Sequence, residues 1–558
     1  MSDAGRGDDD VAGLLQQAFA AHQAGTLAEA ERHYRAVLDI DPRRAPALTN
    51  LGAVCLQTGR IADAIAWFDA SLAVKPDQTN ALGNRAGALR YLGRLDEALA
   101  SCDAALAVDA AYADGHNTRG LLLTELGRPE EALVALDRAV ALNPGHPAFW
   151  NNRGVALAAL ARQDEAADAF DRALSLAPGF ADALSNRAAA LRALGRLDEA
   201  QASCDQALAL DPRHADAWVN RGCIFRDRGR NAEAMAAFEQ ALTVKPDHVE
   251  AAWSRALLQL VTGDYAAGWR GFELRWKRPE LLAYASGPGA PLWLGETPIA
   301  GRTLLLRSEQ GLGDSIQMLR YVPRLAEAGV RVLLAVQPPL ETMAAAVPGV
   351  DALVRAGDPL PPHDYQTPLM SLPLAMGTLA DAIPWDGPYL APPPGQAEAW
   401  AARLGPRRGL RVGLAWSGNP KHLNDRNRSL ALAALEPLLD QDAAFVSLQK
   451  DHALADGARL AALGVAHHAA FLHDLGDTAG LIAQMDLVIA VDTSVAHLAG
   501  AMGKPVWLLL PFAGDFRWGV EGETTPWYPS GRLFRQGAPG AWAGVIGRVG
   551  EALRIHPR

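Results

Sequence analysis

The sequence predicts an α-helical repeat solenoid followed by an α/β region built on parallel sheets. In the first half, glycine, alanine and proline recur at a constant spacing of 34 residues, which is typical of stacked helical hairpins. In the second half, short apolar runs alternate with helical patterns, which is typical of parallel strands joined by helices. A proline-rich break at 389–395 divides this second region into two portions.

The helical repeat is clearest in its glycines. They keep the 34-residue step except at one position, which Ala161 occupies, and we expect each glycine to end the first helix of a hairpin. The spacing resembles that of the tetratricopeptide repeat (TPR). It predicts a flexible tail over 1–10 and a superhelix over 11–282, with seven full repeats over 11–248 and a divergent eighth over 249–282. The glycines are Gly25, Gly59, Gly93, Gly127, Gly195, Gly229 and Gly263.

Two cysteines occupy a core position of this repeat. Cys102 and Cys204 stand where other repeats have Tyr34, Phe68 or Phe170. We therefore expect both cysteines to pack in the core and to have no redox role. The chain has four cysteines and no CxxC pair, and disulfides are rare in the cytoplasm.

One column of the repeat contains asparagine for no evident packing reason. The sixth residue of the unit is asparagine in five repeats, although asparagine is a mediocre helix former. An amide can donate one hydrogen bond to a peptide backbone and accept another, so the column could hold an extended polypeptide. Alternatively, the amides bond neighbouring helices of the solenoid. The column resembles the asparagine ladder of eukaryotic O-GlcNAc transferase, which implies an acceptor-peptide site at Asn50, Asn84, Asn152, Asn186 and Asn220.

The region after the repeats divides into two α/β halves. A linker and an N-terminal half are predicted over 283–395, and a C-terminal half over 396–558. Glycine and proline in YASGPGAP (284–291) mark the linker. Ligands of such sheets bind at the carboxyl ends of the strands. The apolar runs predicted to be strands are 303–307, 330–336, 410–416, 444–448, 487–491 and 506–510.

Five segments of this region resemble the family 9 glycosyltransferases, the heptosyltransferase type, and in particular bacterial proteins that fuse a TPR array to such a domain. The resemblance implies a GT-B fold, in which two Rossmann-like halves face a cleft, the N-terminal half on the acceptor side and the C-terminal half on the nucleotide-sugar side. Some members of this group are similar to alphaproteobacterial flagellin glycosyltransferases that add a nonulosonic acid such as pseudaminic acid. The segments are EQGLGDSIQMLRY (309–321), VGLAWSGNPKHLNDRNRS (412–429), FVSLQK (445–450), DLVIAVDTSVAHLAGAMGKPVWLLLP (486–511) and TPWYPSGRLFRQ (525–536).

The loop after the predicted strand 487–491 has the residues of an anion site. Thr493 and Ser494 are N-cap types, and the first N–H groups of the following helix favour a phosphate. Asp492 could bind ribose hydroxyls or position the loop. The alternative for the whole segment is a capped helix without a ligand. In the resembling family this segment lies against the donor nucleotide, which implies donor binding by all three residues.

The loop after 410–416 contains several cations. Basic side chains beside a strand end suit a phosphate, and a solvated basic loop is the alternative. We predict that Lys421 and Arg426 stabilise the leaving group, with further donor contacts from neighbouring polar residues and from the end of the run 444–448. The predicted donor contacts here are Ser417, Asn419, Lys421, Arg426, Gln449 and Lys450.

A glycine loop with an acid follows the run 303–307. Gly311 and Gly313 let the loop approach the donor sugar closely. Asp314 could take the proton of an acceptor hydroxyl, or cap a helix over 315–321. The matching acid of heptosyltransferases is assigned as the base, and the resemblance carries this role to Asp314. His497 is the competing base, and it could also contact phosphate or sugar, or be a buried structural histidine.

The segment 514–536 combines aromatic and basic residues. Trp518, Trp527 and Tyr528 could stack on a sugar or a nucleobase, and an arginine such as Arg517 could bind a carboxylate of the donor. The alternative is a packed C-terminal lobe.

Composition and charge limit the function classes. The chain has 558 residues and a formal net charge of −11, which argues against nucleic acid or an anionic membrane as partner. The N-terminus lacks the apolar core of a signal peptide, and no run reaches the roughly 18 apolar residues of a membrane span, so we expect a cytoplasmic location. His467 and His468 are adjacent and make a poor chelate, and we expect neither a metal nor another cofactor.

Together, these patterns and the resemblance predict an inverting, metal-independent O-glycosyltransferase. It would move a sugar from a nucleotide sugar to Ser or Thr of a protein acceptor, such as flagellin, held in the TPR groove. The alternatives are a non-catalytic TPR adaptor with a degenerate GT-B domain and a heptosyltransferase-like enzyme of glycan assembly.

Overall fold

The computed structural model describes residues 3–278, 289–309, 311–407, 409–420, 424–451 and 454–556. The chain divides into two compact units, Met1–Asn220 and Arg221–Arg558. This boundary lies before the predicted division at residue 283, because the last repeats pack into the core of the second unit. There, Trp253 and Trp269 share one buried cluster with Leu304 and Leu306.

The described part of the repeat region folds into sixteen helices, which form eight successive hairpins. The predicted helical solenoid is thereby confirmed. Residues 3–10, predicted as a flexible tail, are instead the start of the first helix. The sequence has no proline before Pro42 that would interrupt this helix. The helices are α1 (Asp3–Gln23), α2 (Leu27–Ile40), α3 (Ala45–Gln57), α4 (Ile61–Val74), α5 (Thr79–Tyr91), α6 (Leu95–Val108), α7 (Ala113–Glu125), α8 (Pro129–Leu142), α9 (Pro147–Ala159), α10 (Gln163–Leu176), α11 (Ala181–Ala193), α12 (Leu197–Leu210), α13 (Ala215–Asp227), α14 (Asn231–Val244), α15 (Val249–Val261) and α16 (Tyr265–Phe272).

A size-matched pair of residues joins the two helices of a hairpin. An added Cβ at Gly154 would lie 2.5 Å from the Phe170 ring, so this aromatic residue requires glycine opposite. In another repeat the corresponding residues are Ala86 and Cys102, both fully buried in one cluster. The cysteine is a core residue, as predicted, and burial raises the pKa of the Cys102 thiol to about 12.

The glycines of the 34-residue series end the first helix of each hairpin in the left-handed conformation, as predicted. Gly127 has a φ of 71° and Gly195 a φ of 77°. At the gap in the series, Ala161 keeps this conformation with a φ of 58°, and it is the one non-glycine residue with positive φ in the described chain. The hairpin geometry therefore imposes a backbone conformation that alanine tolerates poorly.

The remainder of the second unit is α/β, which confirms the predicted fold class. Its strands are β1 (Thr303–Arg307), β2 (Arg331–Ala335), β3 (Val350–Leu353), β4 (Tyr365–Pro368), β5 (Arg411–Ala415), β6 (Ala444–Ser447), β7 (Ala466–His467), β8 (Leu487–Val491), β9 (Val506–Leu510) and β10 (Gly531–Arg535). The helices are α17 (Leu312–Met318), α18 (Val322–Glu327), α19 (Glu341–Ala344), α20 (Leu372–Ala375), α21 (Gln396–Leu404), α22 (Asp425–Arg428), α23 (Glu436–Leu439), α24 (Leu454–Ala462), α25 (Leu475–Ala483), α26 (Ser494–Ala501) and α27 (Trp542–Arg554). Short 3-10 turns include Glu273–Lys277, directly after α16, and Leu369–Ser371, directly after β4. The predicted linker falls mostly outside the described residues.

The strands form two sheets in which every pair is parallel. The first has the order β3-β2-β1-β4 and the second the order β10-β9-β8-β5-β6-β7. In each sheet the first three strands of the chain lie side by side in chain order. The fourth strand then pairs with the free edge of the first one, β4 beside β1 and β8 beside β5. The strand order thus reverses between β1 and β4 and between β5 and β8, and such reversal points are where α/β sheets bind ligands.

No helix in the part of the chain that the structure describes is both long enough and apolar enough to cross a membrane.

Candidate functional site

The candidate site lies where loops from the carboxyl ends of the two sheets meet in the second unit. Helix α17, which follows β1, packs against α26, which follows β8. An added Cβ on Gly313 would lie 2.7 Å from Cδ2 of His497. The absence of a side chain at residue 313 is therefore what lets the loop after β1 reach the imidazole.

Asp314 is held at both carboxylate oxygens. Helix α17 begins at Leu312 with Gly311 as its N-cap residue, so Asp314 is the third helical residue and not the cap of a helix over 315–321. Its Oδ2 accepts a hydrogen bond of 2.9 Å from the Gly311 N–H. Its Oδ1 is paired with the guanidinium of Arg517. Asp314 thus supports the start of α17 and also joins it to the loop after β9.

Arg517 is the centre of this charge cluster. Its guanidinium also pairs with Asp515 at 2.7 Å and donates from Nε to the Gln317 side chain at 2.6 Å. Burial disfavours the charged guanidinium, but the surrounding carboxylates outweigh burial and raise the pKa of Arg517. Desolvation raises the pKa of Asp515, and the negative charges of Asp492 and Asp314 add to this effect while Arg517 opposes it. Asp314 and Asp515 therefore share one guanidinium, and the crowding of negative charge favours a proton on Asp515.

His497 is a buried histidine with protein groups at both ring nitrogens. Nδ1 lies 2.9 Å from the Tyr528 hydroxyl, and Nε2 lies 3.6 Å from Oδ1 of Asp492. The imidazole stacks on Trp518 with 5.4 Å between ring centroids. Its side chain is 6% exposed, compared with 21% for Asp314. Of the two predicted bases, Asp314 is the more accessible to a substrate.

The loop between β8 and α26 has the features predicted for an anion site. Thr493 is the N-cap residue of α26 and Ser494 its first residue. The Thr493 hydroxyl is buried and has no hydrogen-bond partner among the described residues. Burial acts to raise the pKa of Asp492, but the His497 ring 3.6 Å away and the positive charge of Arg517 lower it to about 2. The loop therefore combines a helix N-terminus and a free hydroxyl with an ionised carboxylate that is already engaged by a histidine.

The basic loop after β5 reaches this helix N-terminus through Arg428. Its guanidinium donates to the Asp492 carbonyl at 3.0 Å. Gly418 packs directly on it, since an added Cβ would lie 2.6 Å from Nη2. Arg426, the predicted stabiliser, is on the short helix α22 and is exposed. Lys421 lies outside the described residues. Arg428 is thus a positioned cation that the sequence analysis did not select.

Gln449 and Lys450 are engaged within the protein. Gln449 accepts from the backbone N–H groups of Trp416 and Ser417, at 2.7 and 2.8 Å, and its amide donates to the Ser417 hydroxyl at 2.8 Å. With a further bond to the Asp451 carbonyl at 3.0 Å, each donor and acceptor of this amide is used. Gln449 therefore fixes the loop after β5 and has no group left for a base. Lys450 donates to the His473 carbonyl at 3.1 Å, while Asn419 is exposed.

The aromatic residues of 514–536 are core residues, so the prediction that they stack on a sugar or base is wrong. Trp527 and Tyr528 are fully buried. Their ring centroids each lie 5.0 Å from the guanidinium of buried Arg320. Trp518 is 2% exposed. The alternative of a packed lobe is the one that the structure supports, because rings without exposed surface cannot contact a substrate.

In the first unit, three asparagines of the predicted peptide column bond the preceding repeat. This matches the alternative of bonds between neighbouring helices. The bonds of Asn152 and Asn186 each use one N–H of an amide that has two, whereas the Asn220 amide donates to both the carbonyl and the hydroxyl of Ser185. All five asparagines of the column are half-buried. Peptide binding therefore stays a prediction. The bonds run from Asn152 to Asn117 Oδ1 (2.9 Å), from Asn186 to Asn151 Oδ1 (3.0 Å) and from Asn220 to the Ser185 carbonyl (3.0 Å), while Asn50 bonds Pro46 in its own helix (2.9 Å).

The sequence held one signal for Asp515, which was not predicted, and for Arg517, which was predicted to bind a donor carboxylate but pairs with Asp314 and Asp515. Asp515 and Arg517 follow β9 as Asp492 follows β8, and the carboxyl ends of adjacent parallel strands lie on one edge. Applied to every predicted strand, that rule selects the 511–517 loop. No such signal in the sequence selects Arg428 over Arg426 as the cation at the helix N-terminus. Arg428 has this position because it contacts a segment more than sixty residues away, which a local pattern does not predict.

The tetratricopeptide repeat family matches three segments of the chain, residues 21–86, 117–179 and 179–256. A curated relative is Protein FlbA of Caulobacter vibrioides, which is 28% identical over 328 residues. This match covers 54% of the present chain and 54% of the Caulobacter protein. The chain thus spans about half the length of that relative.

Solved structures with similar helices include a tetratricopeptide repeat protein from Parabacteroides merdae, with a TM-score of 0.39, 20% identity and coverage of 45% of this chain and 99% of that one. Another is YrrB, a TPR protein with an unusual peptide-binding site, with a TM-score of 0.27, 24% identity and coverage of 33% and 95%. PilF of Pseudomonas aeruginosa has a TM-score of 0.35, 20% identity and coverage of 38% and 96%.

Proposed function

We propose that this chain is a protein O-glycosyltransferase that moves a sugar from a nucleotide sugar to Ser or Thr of a polypeptide. One observation carries the proposal. Asp314, after β1 of the first sheet, meets Arg517, after β9 of the second, beside the β5/β8 reversal point. A carboxylate at the meeting point of two parallel sheets, next to a free helix N-terminus, is an arrangement suited to group transfer.

The nucleotide phosphate would bind at the start of α26. The first N–H groups of a helix have no partner within it and carry a partial positive charge. The Thr493 hydroxyl is without a partner and would donate to the same phosphate. Arg428 reaches the adjacent carbonyl of residue 492 and would add a full positive charge, together with Lys421. These groups would stabilise the charge that the leaving phosphate gains.

The reaction would be a single displacement with inversion. The acceptor oxygen attacks the anomeric carbon, while the bond from that carbon to the phosphate oxygen breaks and its electron pair leaves with the nucleotide. The hydroxyl proton passes to the carboxylate of Asp314. Arg517 would orient Asp314, and it would release one oxygen as the acceptor arrives, because Asp515 offers the guanidinium another carboxylate at 2.7 Å.

The acceptor would be a protein. Stacked helical repeats form extended concave surfaces that commonly bind polypeptides, and the resemblance described above names flagellin as acceptor and a nonulosonic acid such as pseudaminic acid as sugar. The similarity to FlbA supports a role shared with that protein over the matched half of its length.

The test is direct. The purified chain is incubated with flagellin and a panel of UDP-, GDP- and CMP-linked sugars, and intact mass reports transfer. Asp314→Asn should lower transfer about 100-fold or more, within the usual range for loss of a general base, and should leave nucleotide binding unchanged. Arg324→Gln, which removes an exposed ion pair with Asp386, is the control.

Other results would assign a different function. Peptide binding without transfer from any donor would indicate the non-catalytic adaptor. Transfer to a glycan acceptor but to no protein would indicate the heptosyltransferase-like enzyme. Normal transfer by Asp314→Asn would move the base to another residue, with Asp515 as the next candidate.

The asparagine column is tested separately. Replacing Asn152, Asn186 and Asn220 by Ala together should weaken protein acceptors while donor hydrolysis is unchanged. Each replacement also removes an inter-repeat hydrogen bond worth about 1 kcal/mol, so the variant must be shown to be folded at the assay temperature. Equal loss of both reactions would contradict a role in acceptor binding.

A further inference from the structure

Arg275 is a fully buried arginine at the end of the last helical repeat. It lies in the 3-10 turn Glu273–Lys277, directly after α16. Its guanidinium pairs with Glu273 at 2.6 Å and with Glu309 at 2.9 Å, and it donates to the Ser371 hydroxyl at 2.6 Å. It is also flanked by the rings of Phe272 and Trp276, with 4.7 and 4.2 Å to the centroids.

The partners of Arg275 lie at the reversal point of the first sheet. Glu309 follows β1, and Ser371 follows β4 in the 3-10 turn Leu369–Ser371. These are the adjacent strands between which the strand order reverses. The crevice at which such sheets usually receive a ligand is therefore occupied by a side chain from the helical repeats.

Glu309 occupies a position that is costly for a carboxylate. Its side chain is 3% exposed, and Oε2 has no hydrogen-bond partner among the described residues. Burial, together with the carboxylates of Glu273 and Asp314, raises the pKa of Glu309 to about 7 against the opposing charge of Arg275. Arg307, on β1, also interacts electrostatically with Glu309.

We propose that Arg275 and Glu309 are positioning residues, whose buried ion pair sets the path of the Gly311–Asp314 loop, so that the last helical repeat is part of the transfer site. This inference rests on the proposed function for its catalytic consequence. The end of the helical repeats and the loop that carries Asp314 would then be connected by one buried ion-pair network within the second unit.

The energetics of buried ion pairs support positioning over stabilisation. A buried pair gains little over apolar residues of the same size, yet loss of a single partner leaves an uncompensated buried charge. The network also contains two carboxylates for one arginine. Its specific contribution is to fix relative positions. A planar guanidinium can bond Glu273, Glu309 and Ser371 together only in one arrangement of the segments that carry them.

Hydrogen exchange of the full chain, without any ligand, tests the positioning. In Arg275→Met, amides of 311–318 should exchange at least about tenfold faster, since charged hydrogen bonds that hold the loop are lost. The single variant should also speed exchange of the β2 amides, because it leaves the buried Glu309 carboxylate without its arginine. In the double variant Arg275→Met/Glu309→Gln, the amides of β2 should return to within about twofold of wild type, because that buried carboxylate is gone and Glu273 keeps some contact with solvent, while 311–318 should stay fast. Arg324→Gln, which removes an exposed pair, should change neither segment.

Sugar transfer gives the second readout. With a purified flagellin and CMP-pseudaminic acid, kcat of the double variant should fall at least about tenfold at unchanged KM for the acceptor, although stability recovers. If the ion pair contributed to stability alone, the double variant would recover wild-type kcat together with wild-type hydrogen exchange of the β2 amides.

Unchanged exchange in 311–318 in the folded single variant, or wild-type exchange there in the double variant, would overturn the proposal. Absence of transfer by the wild-type chain with every donor would instead refute the proposed function, and the exchange result would stand on its own.

Discussion

Replacing Glu309 by glutamine should change how the stability of the second unit depends on pH. Burial raises the pKa of this carboxyl from its ordinary value of 4.5 to about 7, a difference that corresponds to about 3 kcal/mol. The folded chain thus keeps the proton to a higher pH than the unfolded chain. Stability from this group is complete below pH 4.5 and is lost as the pH rises to about 7. Glutamine has no such proton to lose.

The expected result is a difference between variant and wild type that grows with pH. From pH 5 to pH 8 the free energy of unfolding should shift in favour of Glu309→Gln by about 2 to 3 kcal/mol. Hydrogen exchange of the buried amides of β1 measures it, because comparing both proteins at the same pH cancels the intrinsic exchange rate. Glu398→Gln, at an exposed position, provides the surface control. A flat difference for Glu309→Gln would refute the reasoning.

Further changes test the packing of the repeats and of the site. Gly154→Ala should cost about 1–3 kcal/mol by overpacking the ring opposite. In the background of Phe170→Cys the same change should cost less than about 0.5 kcal/mol, because another repeat already uses alanine and cysteine there; thermal unfolding of the four proteins measures this coupling. Ala161→Gly should raise stability by about 1 kcal/mol, since it relieves a left-handed alanine, and Gly127→Ala should lower it by a similar amount. Gly313→Ala should lower transfer at least about tenfold, because the new methyl would overlap the imidazole and displace the loop.

Each of these has a clear contrary outcome. If Gly154→Ala costs as much in the Phe170→Cys background as it does alone, the size-matched pairing is not what limits the hairpin. If Ala161→Gly leaves the melting temperature unchanged, the positive φ carries no strain. Full transfer activity in Gly313→Ala would mean that the close approach of the loop after β1 is not needed for the reaction.

The sequence alone determined the repeats and the interior strands. The 34-residue step locates every hairpin, since it follows from one structural unit that is used repeatedly. The six runs predicted as strands are β1, β2, β5, β6, β8 and β9, and the four that were missed, β3, β4, β7 and β10, are the edges of the two sheets. An interior strand of a parallel sheet is covered on both faces and must be apolar along its length. An edge strand such as Tyr365–Pro368 tolerates polar residues and proline.

The tertiary structure decided which side chains of the candidate site face one another. The glycine loop, the helix start at Thr493 and the basic loop were each predicted from residues close together in the sequence. The pairing of Asp314 with Arg517, of Arg275 with Glu309 and of Arg428 with the Asp492 carbonyl joins residues that are 34 to 203 positions apart. Local pattern records which residue types lie at a strand end, but it does not decide which carbonyl or carboxylate each basic side chain contacts across the unit. That choice is made by packing, because a buried charge is retained only where the fold brings it a partner.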